Sequence, residues 1–92
     1  MTPLESSDTT FSKEAFEEFV RWAVLDKKIL KRINTLIADI HRNGLMEGLG
    51  KPERLKYEPD CYSRRIDEEH RLVYTVKSGA LVILSCKGHY DG

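Results

Sequence analysis

Between Ser12 and Gly44 the apolar residues recur three and four positions apart, and from Tyr62 onward they crowd into short runs rich in Val, Ile, Leu and Tyr. The first spacing belongs to helices that bury one stripe; the second belongs to strands. Phe16, Phe19, Val20, Ala23 and Val24 mark the buried stripe of a helix starting at Lys13, with Trp22 at its edge. Ser12 is suited to cap that helix, and Glu14 and Glu17 sit near the positive end of its dipole. Asp26 then opens a second helix with the stripe Ile29, Leu30, Ile33, Leu36, Ile37 and Ile40, while Lys27, Lys28, Lys31 and Arg32 fall largely off it. Asn43-Gly44 closes this helix, since both residues tolerate a left-handed C-cap. With almost no loop between them, the two helices predict an antiparallel hairpin.

Gly44, Gly48, Gly50, Pro52 and Pro59 make residues 44–60 mostly loop. Residues 62–67, 71–77 and 81–87 read as strands, and Ser78-Gly79 as a tight hairpin between the last two. Thr9-Thr10-Phe11, after Asp8, reads as a short edge strand. The order β-α-α-β-β-β predicts an α+β domain, a helical hairpin packed on one face of a small antiparallel sheet. The other face is left for a partner. Residues 1–8 are expected as a flexible leader and 9–92 as a single domain.

Composition narrows the class. A chain of 92 residues that is 40% hydrophobic and 33% charged makes one small globular domain, not a disordered one. No run approaches 18 apolar residues, so no membrane span is expected, and the polar, acidic start is no secretory signal; the expected address is cytoplasmic. Two cysteines, Cys61 and Cys86, make no disulfide framework; free thiols are expected, with a strand-paired bridge as the alternative. Formal charge is zero but unevenly placed. Up to Asp26 there are six acidic and two basic residues, and beyond it thirteen basic and nine acidic. Charge acts locally within about 8–10 Å, so a neutral chain can still present a basic face to phosphates. Mixed charge that simply keeps a small protein soluble is the competing reading.

Among the groups able to do chemistry, His41, His70, His89, Cys61 and Cys86 lie too far apart for a metal motif, and no glycine loop precedes a helix to cradle phosphate. What remains is Glu53 and Lys56, Arg64 and Arg65, His70 and Arg71, and the pair His89-Tyr90. Singly, a strand arginine usually sits on a solvated face and a terminal histidine is usually just exposed. Together, a carboxylate, arginines and a histidine suit metal-free cleavage of an RNA phosphodiester. A base takes the 2′-hydroxyl proton, cations hold the phosphate, and an acid protonates the leaving 5′-oxygen. Register raises an objection. If the hairpin turns on Ser78-Gly79 alone, Lys77 pairs with Ala80 and Arg71 with Cys86, and His89 takes the opposite face. A bulge at Gly79 or a break at Gly88 would restore a common face.

The segments Arg42-Asn43-Gly44, Glu47-Gly48-Leu49-Gly50-Lys51-Pro52-Glu53-Arg54-Leu55-Lys56, Tyr62-Ser63-Arg64-Arg65-Ile66, Glu69-His70-Arg71-Leu72-Val73-Tyr74 and His89-Tyr90 closely resemble the YoeB branch of the RelE-like bacterial toxins. The resemblance spans roughly residues 10–90 and is most specific from Gly48 through Tyr74. It implies the RelE/YoeB-like microbial ribonuclease fold and a ribosome-dependent endoribonuclease that cuts mRNA in the A site. It implies Glu53 as general base, His89 as general acid, Arg71 on the scissile phosphate and Tyr90 positioning substrate, with Lys56 and Arg65 as supporting phosphate contacts. No metal or organic cofactor is implied. The partners implied are a YefM-type antitoxin, the ribosome with its message, and operator DNA reached through the antitoxin complex. A homodimer through the open sheet face or the helical hairpin is compatible with the pattern. Three departures bear on the site: Asp91-Gly92 follow the His-Tyr pair, the loop at residues 57–61 is about one residue short, and Gly88 stands where a bulkier residue is common. The contrasting expectation is a catalytically silent module that occupies the ribosome or serves as an antitoxin-bound co-repressor. A ribonuclease independent of the ribosome is the third, disfavoured because an unaided glutamate is a weak base near neutrality.

Overall fold

Leu4 and residues 6–88 are described by the computed structural model; expectations for residues 1–3, 5 and 89–92 lie outside them. The elements are β1 (Thr9–Phe11), α1 (Lys13–Leu25), α2 (Lys27–Asn43), β2 (Glu53–Arg54), β3 (Tyr62–Arg65), β4 (Arg71–Lys77) and β5 (Ala80–Ser85). Both helices start on the expected caps. Ser12 Oγ accepts the Ala15 N–H, and the Asp26 carboxylate accepts those of Lys28 and Ile29 while Asp26 also closes α1. Within the segment expected as a leader, Leu4 packs against the core and the Ser6 N–H donates to the Gly79 carbonyl.

The strands form one sheet in the order β1-β5-β4-β3-β2. β3, β4 and β5 pair antiparallel as expected, β2 adds antiparallel to β3, and β1 lies parallel to β5, so the sheet is mixed. The start of α1 sets that direction: just past β1, the Ser12 N–H donates to the Ile83 carbonyl and its hydroxyl to that of Leu84. β2 lies within the segment expected as mostly loop, because two residues carry no periodicity.

The core lies between the helices and one sheet face. Ile33, Leu36 and Ile40 of α2 meet Leu72, Tyr74, Leu81 and Ile83, all fully buried. Each such aliphatic side chain stabilises the fold by about 1.5–3 kcal/mol. The stripe expected of α2 is therefore the buried one. That of α1 is not. Phe16 is 56% exposed and Val24 82%, while Ala15, Phe19 and Trp22 face the core. At 100° per residue this is about a quarter turn away. The rotation is set by polar anchors at the sheet edge: the Trp22 indole donates to the Cys86 carbonyl, and the Glu18 carboxylate accepts from the Ser85 hydroxyl and the Cys86 N–H.

The β4–β5 hairpin has the expected two-residue turn, with Lys77 opposite Ala80 and positive φ at Ser78 and Gly79. The ladder then slips. Tyr74 pairs with Ile83 but Val73 with Ser85, leaving Leu84 as the extra residue of a bulge. The expected Arg71–Cys86 pairing is therefore not made, and the Arg71 N–H donates instead to the Gly88 carbonyl.

Candidate active site

Glu53 reaches the sheet because the loop before it is fixed from below. Along β3, Tyr62, Arg64 and Ile66 point to the core, so a guanidinium enters the interior with no solvent exposure. All five of its N–H donors are used. Nε bonds the Tyr74 hydroxyl (3.0 Å), Nη1 the Asp39 carboxylate and the Leu49 carbonyl (3.0 Å), and Nη2 the carbonyls of Gly44 (2.8 Å) and Glu47 (2.6 Å). Three carbonyls of the irregular stretch from Gly44 to Leu49 are thus satisfied by one side chain. Burial acts to raise the Asp39 carboxyl, but the Leu49 N–H, the Arg64 guanidinium and the Asn43 amide outweigh it and hold it below its ordinary value. Gly48 passes close to this group: a Cβ there would stand 2.0 Å from Asp39 Oδ2.

The opposite face carries the polar cluster. Glu53 pairs with Ser63 and Ser63 with Val73, while Arg65 lies opposite Arg71, so Glu53, Ser63, Arg65 and Arg71 share the face away from the helices. Arg71 Nη2 donates to Glu53 Oε1 at 2.7 Å, and Arg71 Nε to Ser63 Oγ at 3.1 Å. The guanidinium is largely buried, whereas the Glu53 side chain is 61% exposed. A cation is thereby held rigidly beneath a carboxylate open to solvent. Ser63 is the member that sequence reading missed; it shares strand parity with Arg65, and that was its signal.

The remaining candidates are placed less tightly. Arg65 is exposed beside Arg71, its N–H donating to the Gly50 carbonyl and its own carbonyl accepting from Arg32. Lys56 follows β2, exposed, with its ammonium 5.7 Å from the Tyr57 ring centroid. Among the described residues it makes no hydrogen bond to Glu53 or Arg71. Arg64, grouped with the candidates by sequence, is structural. His89 and Tyr90 lie outside the described residues. The shift at Leu84 breaks the register on which the parity objection rested, and the Arg71 N–H meets the Gly88 carbonyl.

Both cysteines are free thiols. Burial, and then the Glu18 carboxylate, push the Cys86 thiol up to about 12. Cys61 is also raised, by burial and then by Glu58 and Asp60. Neither has the stabilised thiolate that a nucleophile needs. Among the described residues no three or more His, Cys, Asp or Glu side chains gather as a metal site.

The family model describing a YoeB-like toxin of bacterial type II toxin–antitoxin systems matches residues 11–90. The toxin YoeB of Streptomyces coelicolor is 50% identical over 82 residues, 88% of this chain and 96% of the relative. The YoeB dimer from Staphylococcus aureus superposes with a TM-score of 0.85 at 51% identity, covering 90% of this chain and 97% of that one. The heterotetrameric YoeB–YefM toxin–antitoxin complex from Staphylococcus aureus gives 0.84 at 52% identity, with the same coverage.

Proposed function

The chain belongs to the YoeB-like toxins of bacterial type II toxin–antitoxin systems, and from that membership we propose that it is an endoribonuclease that cuts mRNA in the ribosomal A site. The observation that carries the chemistry is the Glu53–Arg71–Ser63 cluster on the open sheet face. Ser63 fixes the Arg71 guanidinium, so its charge is aimed before substrate arrives and little reorganisation is needed as charge develops on the phosphate. A phosphate bound there competes with Glu53 for the guanidinium, and the released carboxylate takes the 2′-hydroxyl proton. The 2′-oxygen attacks phosphorus, the bond to the 5′-oxygen breaks, and His89 protonates that oxygen, leaving a 2′,3′-cyclic phosphate. Tyr90 positions the substrate, and Arg65 and Lys56 contact flanking phosphates.

A glutamate base and a single histidine acid make a modest catalyst alone. Holding the message in the A site supplies the orientation that they lack. Exposed Lys27, Lys28 and Lys31 on α2 offer further contacts to RNA phosphate. In the cytoplasm the toxin is neutralised by a YefM-type antitoxin, a partner that the Staphylococcus aureus YoeB–YefM complex supports, and the pair reaches operator DNA through the antitoxin. The exposed line of Phe16, Val20, Val24 and Leu25 on α1 is the surface we assign to a homodimer.

The test maps mRNA 5′ ends in a reconstituted translation reaction with the wild type and with Glu53→Ala, Arg71→Ala and His89→Ala. New ends inside A-site codons, lost in the variants, are expected. Ribosome binding without new ends would replace this reading with a silent ribosome-binding or co-repressor module. Equal cleavage of naked RNA would remove the dependence on the ribosome.

A further inference from the structure

Past the end of β5, Cys86 and Gly88 are held by more bonds than a sheet edge supplies. The Cys86 N–H donates to the Glu18 carboxylate (2.7 Å), and its carbonyl accepts from the Trp22 indole (2.9 Å). The Gly88 N–H donates to Nδ1 of His70 (2.9 Å), and its carbonyl accepts the Arg71 N–H (3.0 Å). Only the last of these continues the strand ladder. The other three come from side chains on α1 and on the turn before β4, where water would have sufficed for an exposed chain end. The His70 ring is itself seated by Trp22, edge to face with centroids 4.9 Å apart.

The His70 bond constrains its chemistry. Nδ1 must offer a lone pair to the Gly88 N–H, which fixes the tautomer protonated at Nε2. Gly88 has φ of +83°, and no atom lies within 4 Å of where a Cβ would stand. Glycine is needed there for the direction of the backbone, not for space. The chain is thus turned and tied at one point, on the backbone of the very residue whose guanidinium lies in the Glu53–Ser63 cluster.

We propose that His70 is a positioning residue for the reaction assigned above: its Nδ1 fixes the Gly88 backbone against Arg71, so that the chain leaves for His89 and Tyr90 from a set place and direction. The functional half rests on the ribonuclease reading; the contact itself does not. A proton donor misplaced by about 1 Å costs on the order of 100-fold in rate, so a tether on the residue just before His89 acts on turnover and not on substrate affinity.

Two measurements test this. In uniformly 15N-labelled wild type, a through-hydrogen-bond N–N coupling between Gly88 N and His70 Nδ1 is expected; its absence, with His70 protonated at Nδ1, overturns the proposal. In the ribosomal cleavage assay, His70→Asn places its side-chain oxygen near the Nδ1 position and is expected to retain most activity. His70→Gln reaches the Nε2 position instead and is expected to lose about 10–100-fold in kcat with KM little changed. Equal activity of both variants and wild type overturns the proposal, as does equal loss in both. If wild type shows the coupling but cuts no message, the ribonuclease reading fails and the contact is structural only. If wild type cuts and His70→Gln cuts equally well, the ribonuclease reading stands and the positioning role fails.

Discussion

Replacing Arg64 by methionine keeps an unbranched stem of similar length and removes the donors to the Gly44, Glu47 and Leu49 carbonyls of the loop. Five acceptors lose a partner, and they differ in what remains to them. The Tyr74 hydroxyl still donates to the Leu45 carbonyl, and the Asp39 carboxylate still accepts from the Leu49 N–H and the Asn43 amide. The carbonyls of Gly44, Glu47 and Leu49 must find water. Removing one partner of a buried ion pair costs about 3–5 kcal/mol, and local opening of the loop rehydrates the carbonyls, so a total of that size is expected. For a domain of this length it corresponds to a fall in Tm of about 15–30 °C. Urea unfolding followed by Trp22 fluorescence measures it. The pH dependence sharpens the test. The Asp39 carboxyl is lowered by folding from 3.8, so its share of stability is present above that value and is lost as pH falls through the lower folded value. The gap between wild type and variant should therefore narrow as pH drops below 4. A loss under about 1 kcal/mol, or a gap unchanged down to pH 3, would refute the account of Arg64 as the anchor of this loop.

Three further outcomes follow from the geometry. Glu53→Gln should lower ribosome-dependent cleavage by about 100-fold or more while changing stability by less than about 1 kcal/mol, because the carboxylate it removes is mostly solvated; cleavage within tenfold of wild type would exclude Glu53 as the base. Gly48→Ala should destabilise the fold more than Gly88→Ala by thermal melting. Both have positive φ, costing about 1–2 kcal/mol, but only the Cβ at 48 meets the Asp39 carboxylate, and equal Tm values would show that the loop yields freely. In the native protein at pH 8 a thiol reagent should leave Cys86 unmodified while reaching half-buried Cys61 slowly, since the Cys86 thiol is pushed up to about 12; rapid modification of two thiols would refute its burial.

Much of the fold was legible because its signals are local. Ser12 and Asp26 cap the helices they should, and the α2 stripe is the one the core takes. The positive-φ turn at Ser78-Gly79 needed only two residues to be recognised. Where the reading missed, the deciding interaction was distant in sequence. The rotation of α1 depends on Trp22 and Glu18 meeting Cys86 more than sixty residues away. A stripe of Phe and Val gives a period but not the direction in which the helix turns it.

The candidate site divides in the same way. The quoted segments supplied the residue types and the family; alternation puts Ser63 and Arg65 on one face of β3, and the β3–β4 register, which only the fold shows, adds Arg71. Arg64, grouped by sequence with the candidates for chemistry, lies between Tyr62 and Ile66 on the buried side, and nothing local says that an arginine will find five acceptors there. That required Asp39 of α2 and a loop with no regular structure to converge on one guanidinium. The sequence by itself determined which elements form and which groups are available for chemistry, because capping, periodicity and turn preference act within a few residues. Tertiary structure decided which charge is buried and which is presented, and how the ladder slips at Leu84, because both depend on partners that only the folded chain brings within hydrogen-bond distance.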